Sequence, residues 1–216
     1  MSKVIIIDYK SGNLFSVQQA LKSVGLESEI SSSIDKIQSA DAVIFPGMGA
    51  FGTAIENLRE FGIDEALRKF VKAGKPFLGV CLGMQLLFSE SDEFGNTKGL
   101  DIIKGKVSRF PNSFENNLLR VPQIAWNRIN TNKNRSWAKT PLETSASGEY
   151  MYFVHSYYVQ PSDSSVMLSE TTYGDTCYTS SLLVDNIFAC QFHPEKSGEA
   201  GLKIYKAWAT QNKLIK

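Results

Sequence analysis

The apolar positions of this chain change rhythm halfway along it. In the first half, short continuous apolar runs alternate with stretches whose apolar residues recur at helical spacing. "KVIIID" reads as a strand, and "NLFSVQQALKSVG" follows with Leu14, Val17, Leu21 and Val24 on one helical face and a closing Gly25. "ESEISSS" is a candidate second strand and "DAVIFPG" a third. "TAIENLREFGIDEALRKFVKAG" predicts a helix broken near Gly62, "PFLGVC" a fourth strand, and "LGMQLLFSE" a helix. Strands separated by helices specify βαβ units and a parallel sheet.

The second half is built differently. "KVSRF", "PQIAWNRIN", "YMYFVHSYYVQ", "VMLSETTYG", "CYTSSLLVDN" and "IFACQF" are rich in β-branched and aromatic residues and end in turn residues. They predict strands, many of them antiparallel. "EAGLKIYKAWATQNKLIK" closes the chain as a helix with Leu202, Tyr205 and Trp208 on one face, and the polar stretch 131–149 predicts a surface loop. No repeat, low-complexity tract or linker divides the sequence, so one α/β domain is expected over residues 1–216.

Composition narrows the function classes. Of 216 residues 43% are hydrophobic, enough for a sizeable core. Lys and Arg number 23 against 22 Asp and Glu, a balance that argues against a nucleic-acid binder. "MSKVIIIDYK" is too short an apolar run for a secretory signal, and no segment approaches the roughly 20 apolar residues of a membrane span. Three cysteines without a signal predict free thiols in a reducing cytoplasm.

Two glycine motifs carry the candidate chemistry. "PGMGAFG" places Gly47, Gly49 and Gly52 in a formal G-x-G-x-x-G. It admits a dinucleotide site, a plain tight turn, or a loop whose N–H groups face an active site. Against the nucleotide, the motif follows the third strand, and the position about 20 residues on, where a ribose-binding acid belongs, falls inside a helix. The second motif, Gly79-Val80-Cys81-Leu82-Gly83, has the G-x-nucleophile-x-G form of a strand-to-helix elbow. The Leu82 N–H can serve an oxyanion there, and the N-terminal end of the following helix favours a thiolate. A small buried cysteine at a turn fits the same five residues.

A thiol nucleophile needs a base, and the chain holds two histidines. His193 ends an apolar strand in "ACQFHPEKSG", with Glu195 two residues on to hold its tautomer. His155 sits mid-strand among aromatics and reads as a hydrogen-bonded structural histidine; Cys177 and Cys190 read as packing residues. Cys81, His193 and Glu195 form the best available triad.

Together the "PGMG" loop, the "GVCLGMQ" elbow and the "FHPE" base resemble the class I glutamine amidotransferases. The likeness extends to the glutaminase subunits of imidazole glycerol phosphate synthase. "IDYKSGNLFSV", "PGMGAFG", "GVCLGMQLLF", "VPQIAWN", "YFVHSYYV" and "QFHPEKSG" stand in that family's order along nearly the whole chain. The resemblance implies a flavodoxin-like α/β fold: a mixed, mostly parallel sheet with helices on both faces, plus an added antiparallel sheet. It implies that Cys81 attacks L-glutamine, that His193 is base and then acid, and that the thioester is hydrolysed. Met48, Gly49 and Leu82 then match the oxyanion hole, with a loop that reorients to complete it. Gly47, Gln85, Glu93, His155, Ser156 and Tyr157 match the glutamine pocket, Glu93 facing the substrate's ammonium. Asn13, Trp126 and Lys196 match positions facing a (β/α)8 barrel cyclase in a heterodimer. That partner receives the ammonia to make imidazole glycerol phosphate and AICAR in histidine biosynthesis, and the resemblance implies no cofactor and no metal.

The sequence departs from the family pattern at Gln123 and Ala125, where histidine and glycine are usual, and at Lys10, where glycine is usual. By the resemblance these segments lie toward the partner, so an altered partner contact is expected at Gln123 and an acidic or solvated neighbour at Lys10. The departures leave open a second partner, a similar synthase that places amidino groups on surface sugars. A non-catalytic binding protein on this fold and a stand-alone thiol hydrolase are the readings from other classes.

Overall fold

The computed structural model describes residues 2–114, 117–132 and 135–215. The chain begins with β1 (Val4–Ile7), α1 (Leu14–Ser23), β2 (Glu29–Ser31), α2 (Ile34–Ser39) and β3 (Ala42–Gly47). Next come α3 (Phe51–Glu60), α4 (Ile63–Lys72), β4 (Phe77–Cys81), α5 (Leu82–Leu86), β5 (Phe88–Ser91) and β6 (Thr97–Lys98). Then follow β7 (Ile103–Arg109), β8 (Ser113–Phe114), β9 (Asn117–Leu118), β10 (Gln123–Thr131), β11 (Glu149–His155) and β12 (Tyr157–Pro161). The chain closes with β13 (Met167–Tyr173), β14 (Thr176–Val184), β15 (Ile187–Cys190) and α6 (Gly198–Gln211).

A nine-stranded sheet runs in the order β11-β10-β13-β14-β15-β4-β3-β1-β2. Strands β2, β1, β3, β4 and β15 pair in parallel, and the remaining strands extend the same sheet antiparallel. The last strand of the sequence, β15, thus lies in the middle of the sheet, between β14 and β4. A separate four-stranded sheet runs β12-β7-β5-β6.

Both faces of the parallel half are covered, which is why its strands read as unbroken apolar runs. Ile5, Ile7, Val43 and Phe45 face α2 to α5, whereas Val4, Ile6, Ala42 and Ile44 face α1 and α6. The helix predicted over residues 53–74 is broken where expected, at Gly62, which takes a left-handed φ of 65°. Helix α2, capped by the Ser33 side chain accepting from the Lys36 N–H, went unread in "SSSIDKIQS" because it is barely more than one turn.

Four expectations need correction. The helix predicted over "LGMQLLFSE" stops at Leu86, because the carbonyls of Leu86, Leu87 and Phe88 accept from the N–H groups of Leu100, Asp101, Ile102 and Ile103. Phe88–Ser91 becomes strand β5 instead. "YMYFVHSYYVQ" is two strands divided at Ser156, with β11 pairing β10 in the large sheet and β12 pairing β7 in the small one. The loop expected over 131–149 is not all surface: Trp137 and Leu142 are buried, and Trp137 Nε1 donates to the Leu168 carbonyl at 2.7 Å. Residues 133 and 134 of that loop lie outside the described residues. Cys190 is buried as expected, but Cys177 is exposed, since its neighbour Tyr178 takes the core-facing side of β14. No helix among the described residues is long and apolar enough to cross a membrane.

The tightest packing lies where α5 crosses β3. A Cβ on Gly83 would stand 1.7 Å from the Phe45 carbonyl oxygen, a backbone atom that cannot turn aside. Gly83→Ala is therefore expected to cost about 3 kcal/mol or more of stability, read as a fall in the urea midpoint. An unmoved midpoint would show that α5 can lift off the sheet freely.

Candidate active site

The site is assembled at the C-terminal ends of the parallel strands, where ligands bind in open α/β sheets. Cys81 ends β4 and turns into α5 with φ 55° and ψ −114°, a conformation that costs a non-glycine residue about 1–3 kcal/mol. Cys81 is 7% exposed. Close packing behind it leaves no room for side chains, since a Cβ on Gly79 would meet Ala189 Cβ at 3.1 Å. Helix α5 has only five residues, so the helix-end field expected to favour a thiolate is that of little more than one turn.

His193 follows β15, the strand paired with β4, and so arrives beside Cys81. The short 3-10 turn Pro194–Lys196 folds Glu195 back, and His193 Nδ1 donates to Glu195 Oε1 at 2.7 Å. Tyr205 on α6 donates to the other carboxylate oxygen at 3.3 Å. That leaves His193 Nε2 with no hydrogen-bond partner, on the wall of the same cavity as Cys81. Burial alone would depress this imidazole, but the Cys81 sulfur and the Glu195 carboxylate outweigh it and raise its pKa to about 10.

The cavity encloses about 270 Å³. Met48, Gly49, Leu82, Gln85, Glu93, His155, Ser156, Tyr157 and Lys196 join Cys81 and His193 on its wall. Gly47 and Asn13 stand one layer behind, around a much smaller recess shared with Glu195 and Lys196. Asn13 also caps α1, its Oδ1 accepting from the Ser16 N–H at 3.4 Å. Glu93 is half-buried and accepts from the Phe51 N–H at 2.6 Å; burial raises its pKa more than that bond lowers it. Trp126 lies off the cavity, 52% exposed, with its ring edge-on to Tyr152, which in turn faces His193. Lys196 Nζ sits over the same Tyr152 ring at 5.8 Å.

The "PGMG" loop joins β3 to α3 and borders the Cys81 cavity through Met48 and Gly49. Its expected donor is already engaged: the Met48 N–H donates to Ser11 Oγ at 3.3 Å, and the Ser11 hydroxyl donates back to the Met48 carbonyl. Ser11 was not singled out in the sequence, nor was Gln191, which donates to Cys81 Sγ at 3.5 Å. The latter left one signal, a polar residue inside the apolar run "IFACQF".

His155 is buried, as its aromatic neighbours implied. Its Nδ1 donates to the Tyr157 carbonyl at 2.8 Å, and its Nε2 lies 3.3 Å from the Tyr178 hydroxyl. That hydroxyl donates to Gln123 Oε1 at 3.1 Å. Gln123 is wholly buried, so the partner contact expected of it is overturned: its side chain faces inward. Lys10 is exposed, the solvated setting allowed for it. Its ammonium lies 4.5 Å over the Phe61 ring, and its φ of 63° explains why glycine suits the position.

The family model for class-I glutamine amidotransferases matches residues 5–210. The HisH subunit of imidazole glycerol phosphate synthase from Syntrophotalea carbinolica is 43% identical over 206 residues, 94% of this chain and 97% of that protein. The subunit of the same name from Caldanaerobacter subterraneus is 43% identical over 210 residues, 97% of this chain and 98% of its own. A chain of the PurLQS structure from Thermotoga maritima superimposes with a TM-score of 0.74 at 18% identity, covering 97% of this chain and 99% of that one. A crystal structure of a glutamine amidotransferase gives a TM-score of 0.72 at 19% identity, covering 97% and 98%. At such identities these two speak for the fold alone.

The buried His155 carries a pH signature. Burial, aided by the nearby His193 charge and only partly offset by the Tyr157 carbonyl, lowers its pKa from 6.5 to about 4. Stability from this group is complete above its unfolded value and falls as pH drops toward 4, because the unfolded chain takes up a proton that the native one refuses. From pH 7 to pH 5 the loss is about 2 kcal/mol. His193, with its raised pKa, acts in the opposite sense and is common to both proteins compared. Urea midpoints at the two pH values should fall more for the wild type than for His155→Gln; equal falls would remove His155 as the source.

Proposed function

The chain belongs to the class-I glutamine amidotransferases, among the HisH subunits of imidazole glycerol phosphate synthase, and from that premise we propose that it releases ammonia from glutamine through a Cys81 thioester and passes it to a cyclase subunit. The observation that carries this reading is the geometry around His193. One ring nitrogen is fixed on a buried carboxylate at 2.7 Å while the other, unpartnered, shares a cavity with a strained cysteine.

The chemistry follows from those groups. The Cys81 thiolate adds to the side-chain amide carbon of glutamine, and the oxyanion that forms is met by the Leu82 N–H. The charged His193 gives its proton to the departing nitrogen, which leaves as ammonia. Now neutral, His193 takes a proton from the water that attacks the thioester, restoring thiolate and imidazolium as glutamate departs. Glu195 keeps Nδ1 protonated and Nε2 aimed at the reacting atoms throughout. Glu93 faces the substrate's ammonium, and Gln85, His155, Ser156 and Tyr157 shape its seat.

The second oxyanion donor is the Met48 N–H, and Ser11 holds it away. Hydrolysis by the chain alone is therefore slow until the loop at Gly47–Gly49 turns, a rotation its glycines permit. The partner, a (β/α)8 barrel forming a heterodimer with this chain, covers the side on which Asn13, Lys196, Met48, Ile124 and Trp126 lie. The last three are exposed large apolar residues. Shielded delivery keeps ammonia unprotonated and nucleophilic. The HisH relatives support the histidine-pathway partner over a sugar-pathway one, and Gln123, whose Oε1 accepts from Tyr178 inside the chain, does not favour the latter.

Two measurements test this. In the complex with its cyclase, Cys81→Ala should abolish glutamine-dependent synthesis of imidazole glycerol phosphate and leave synthesis from ammonium salts intact; residual glutamine turnover near the wild-type rate would exclude Cys81. Ser11→Ala removes the clasp on Met48, about 1 kcal/mol of net hydrogen bonding, and should raise hydrolysis by the isolated chain about fivefold to tenfold while leaving the activated complex unchanged. An unchanged basal rate would dissociate Ser11 from the switch.

A further inference from the structure

Gln191 is a wholly buried amide at the end of an otherwise apolar strand, two residues before His193. A buried amide costs about 1–3 kcal/mol unless its hydrogen bonds are made, so what Gln191 bonds to is informative. Its Nε2 donates to Cys81 Sγ at 3.5 Å, and its Oε1 accepts from Gln85 Nε2 at 2.9 Å. Gln85 Nε2 also donates to the Tyr157 carbonyl at 2.9 Å.

This chain of bonds has one direction only. The Tyr157 carbonyl can accept but not donate, which fixes the Gln85 amide with its nitrogen toward Tyr157 and Gln191. Gln191 must then offer its oxygen to Gln85, and its NH2 is left facing the sulfur. A second hydrogen-bonding group at Sγ, beside His193, is the Val154 carbonyl, at 3.9 Å. That carbonyl can accept only from a protonated thiol, whereas the Gln191 N–H favours a sulfur bearing negative charge. The two neighbours therefore call for opposite roles of the sulfur, acceptor and donor, and Gln191 is the nearer.

We propose that Gln191 is a positioning residue for the nucleophile: it holds the Cys81 sulfur as a hydrogen-bond acceptor, oriented through Gln85 and the Tyr157 carbonyl. Gln85 and Tyr157 belong to the cavity wall that the proposed function assigns to glutamine, so on that reading seating the substrate and aiming the sulfur share one hydrogen-bonded chain. Other ionisable groups act on the same sulfur. His193 from the segment after β15, Tyr9 from the end of β1 and Cys190 from β15 are coupled to it electrostatically, Glu195 stands behind His193, and Glu93 and His155 lie across the cavity. None of these is changed by substituting Gln191.

The test is the pH profile of Cys81 alkylation by iodoacetamide in the full chain, with the exposed Cys177 replaced by serine to remove its background. Gln191→Met keeps the length and loses the donor, and Gln191→Glu places a carboxylate where the donor was. The expected result is that both move the alkylation profile to higher pH, by about one unit for Met and by more for Glu. At a pH on the acidic limb, one unit is about a tenfold slower reaction. Glutamine turnover should fall in kcat with KM for glutamine little altered. Profiles that coincide with wild type in both variants would overturn the proposal, as would a loss confined to KM or to thermal stability, since a packing role moves those alone. The alkylation arm does not require glutamine to be the substrate, so failure of the glutaminase reading would leave this result standing, and failure here would leave that reading untouched.

Discussion

The architecture depends on one constraint, the close crossing of α5 over β3 and β4. Cys81 holds a left-handed backbone that it does not favour, and nothing local stabilises it. What fixes it is parallel pairing on both sides, with Gly47 opposite Cys81 on β3 and Cys190 opposite Val80 on β15. Gly79 and Gly83 let the neighbouring chains approach so closely that the elbow has no space in which to relax. The strain is borne by the sheet, and the thiol stands at the C-terminal end of β4 because the sheet holds it there.

The second organising feature is the seam between the two sheets. Chain that leaves β11 at His155 enters β12 at Tyr157, passing from the large sheet to the small one across a single residue. That crossing brings His155, Ser156 and Tyr157 over the cavity and turns the Tyr157 carbonyl to receive both Gln85 and His155. The cavity wall is thus contributed by both sheets.

Much of this was legible in the sequence because the relevant signals are local. The strand-helix alternation, the break at Gly62, the glycine-framed Cys81 and the His193–Glu195 spacing each declare themselves within a few residues. What stayed hidden depends on partners far along the chain. Helix α5 ends early because its last carbonyls are taken by residues 100–103, which no window around Leu86 contains. Gln123 looked like a surface departure, yet its alternation in β10 turns it inward to Tyr178 while Ile124 and Trp126 turn out. Lys10 looked like an added charge, when the informative property was the sign of its φ. Gln191 and Ser11 are ordinary polar residues until their partners, 110 and 37 positions away, are known.

The central place of β15 bears on the order in which the molecule can come into being. Emerging from synthesis, the chain offers β1 to β4 first, with the inner edge of β4 unpaired and apolar until the last strand arrives. An edge of that kind is a template for association with other chains. The strand that covers it also joins the antiparallel half to the parallel half, and it delivers His193 within three residues of its own end. No intermediate lacking β15 can therefore hold both a closed sheet and a complete site. The same insertion that ends the hazard of an open edge brings His193 and Glu195 beside Cys81, so the sheet closes and the cavity is assembled in one step.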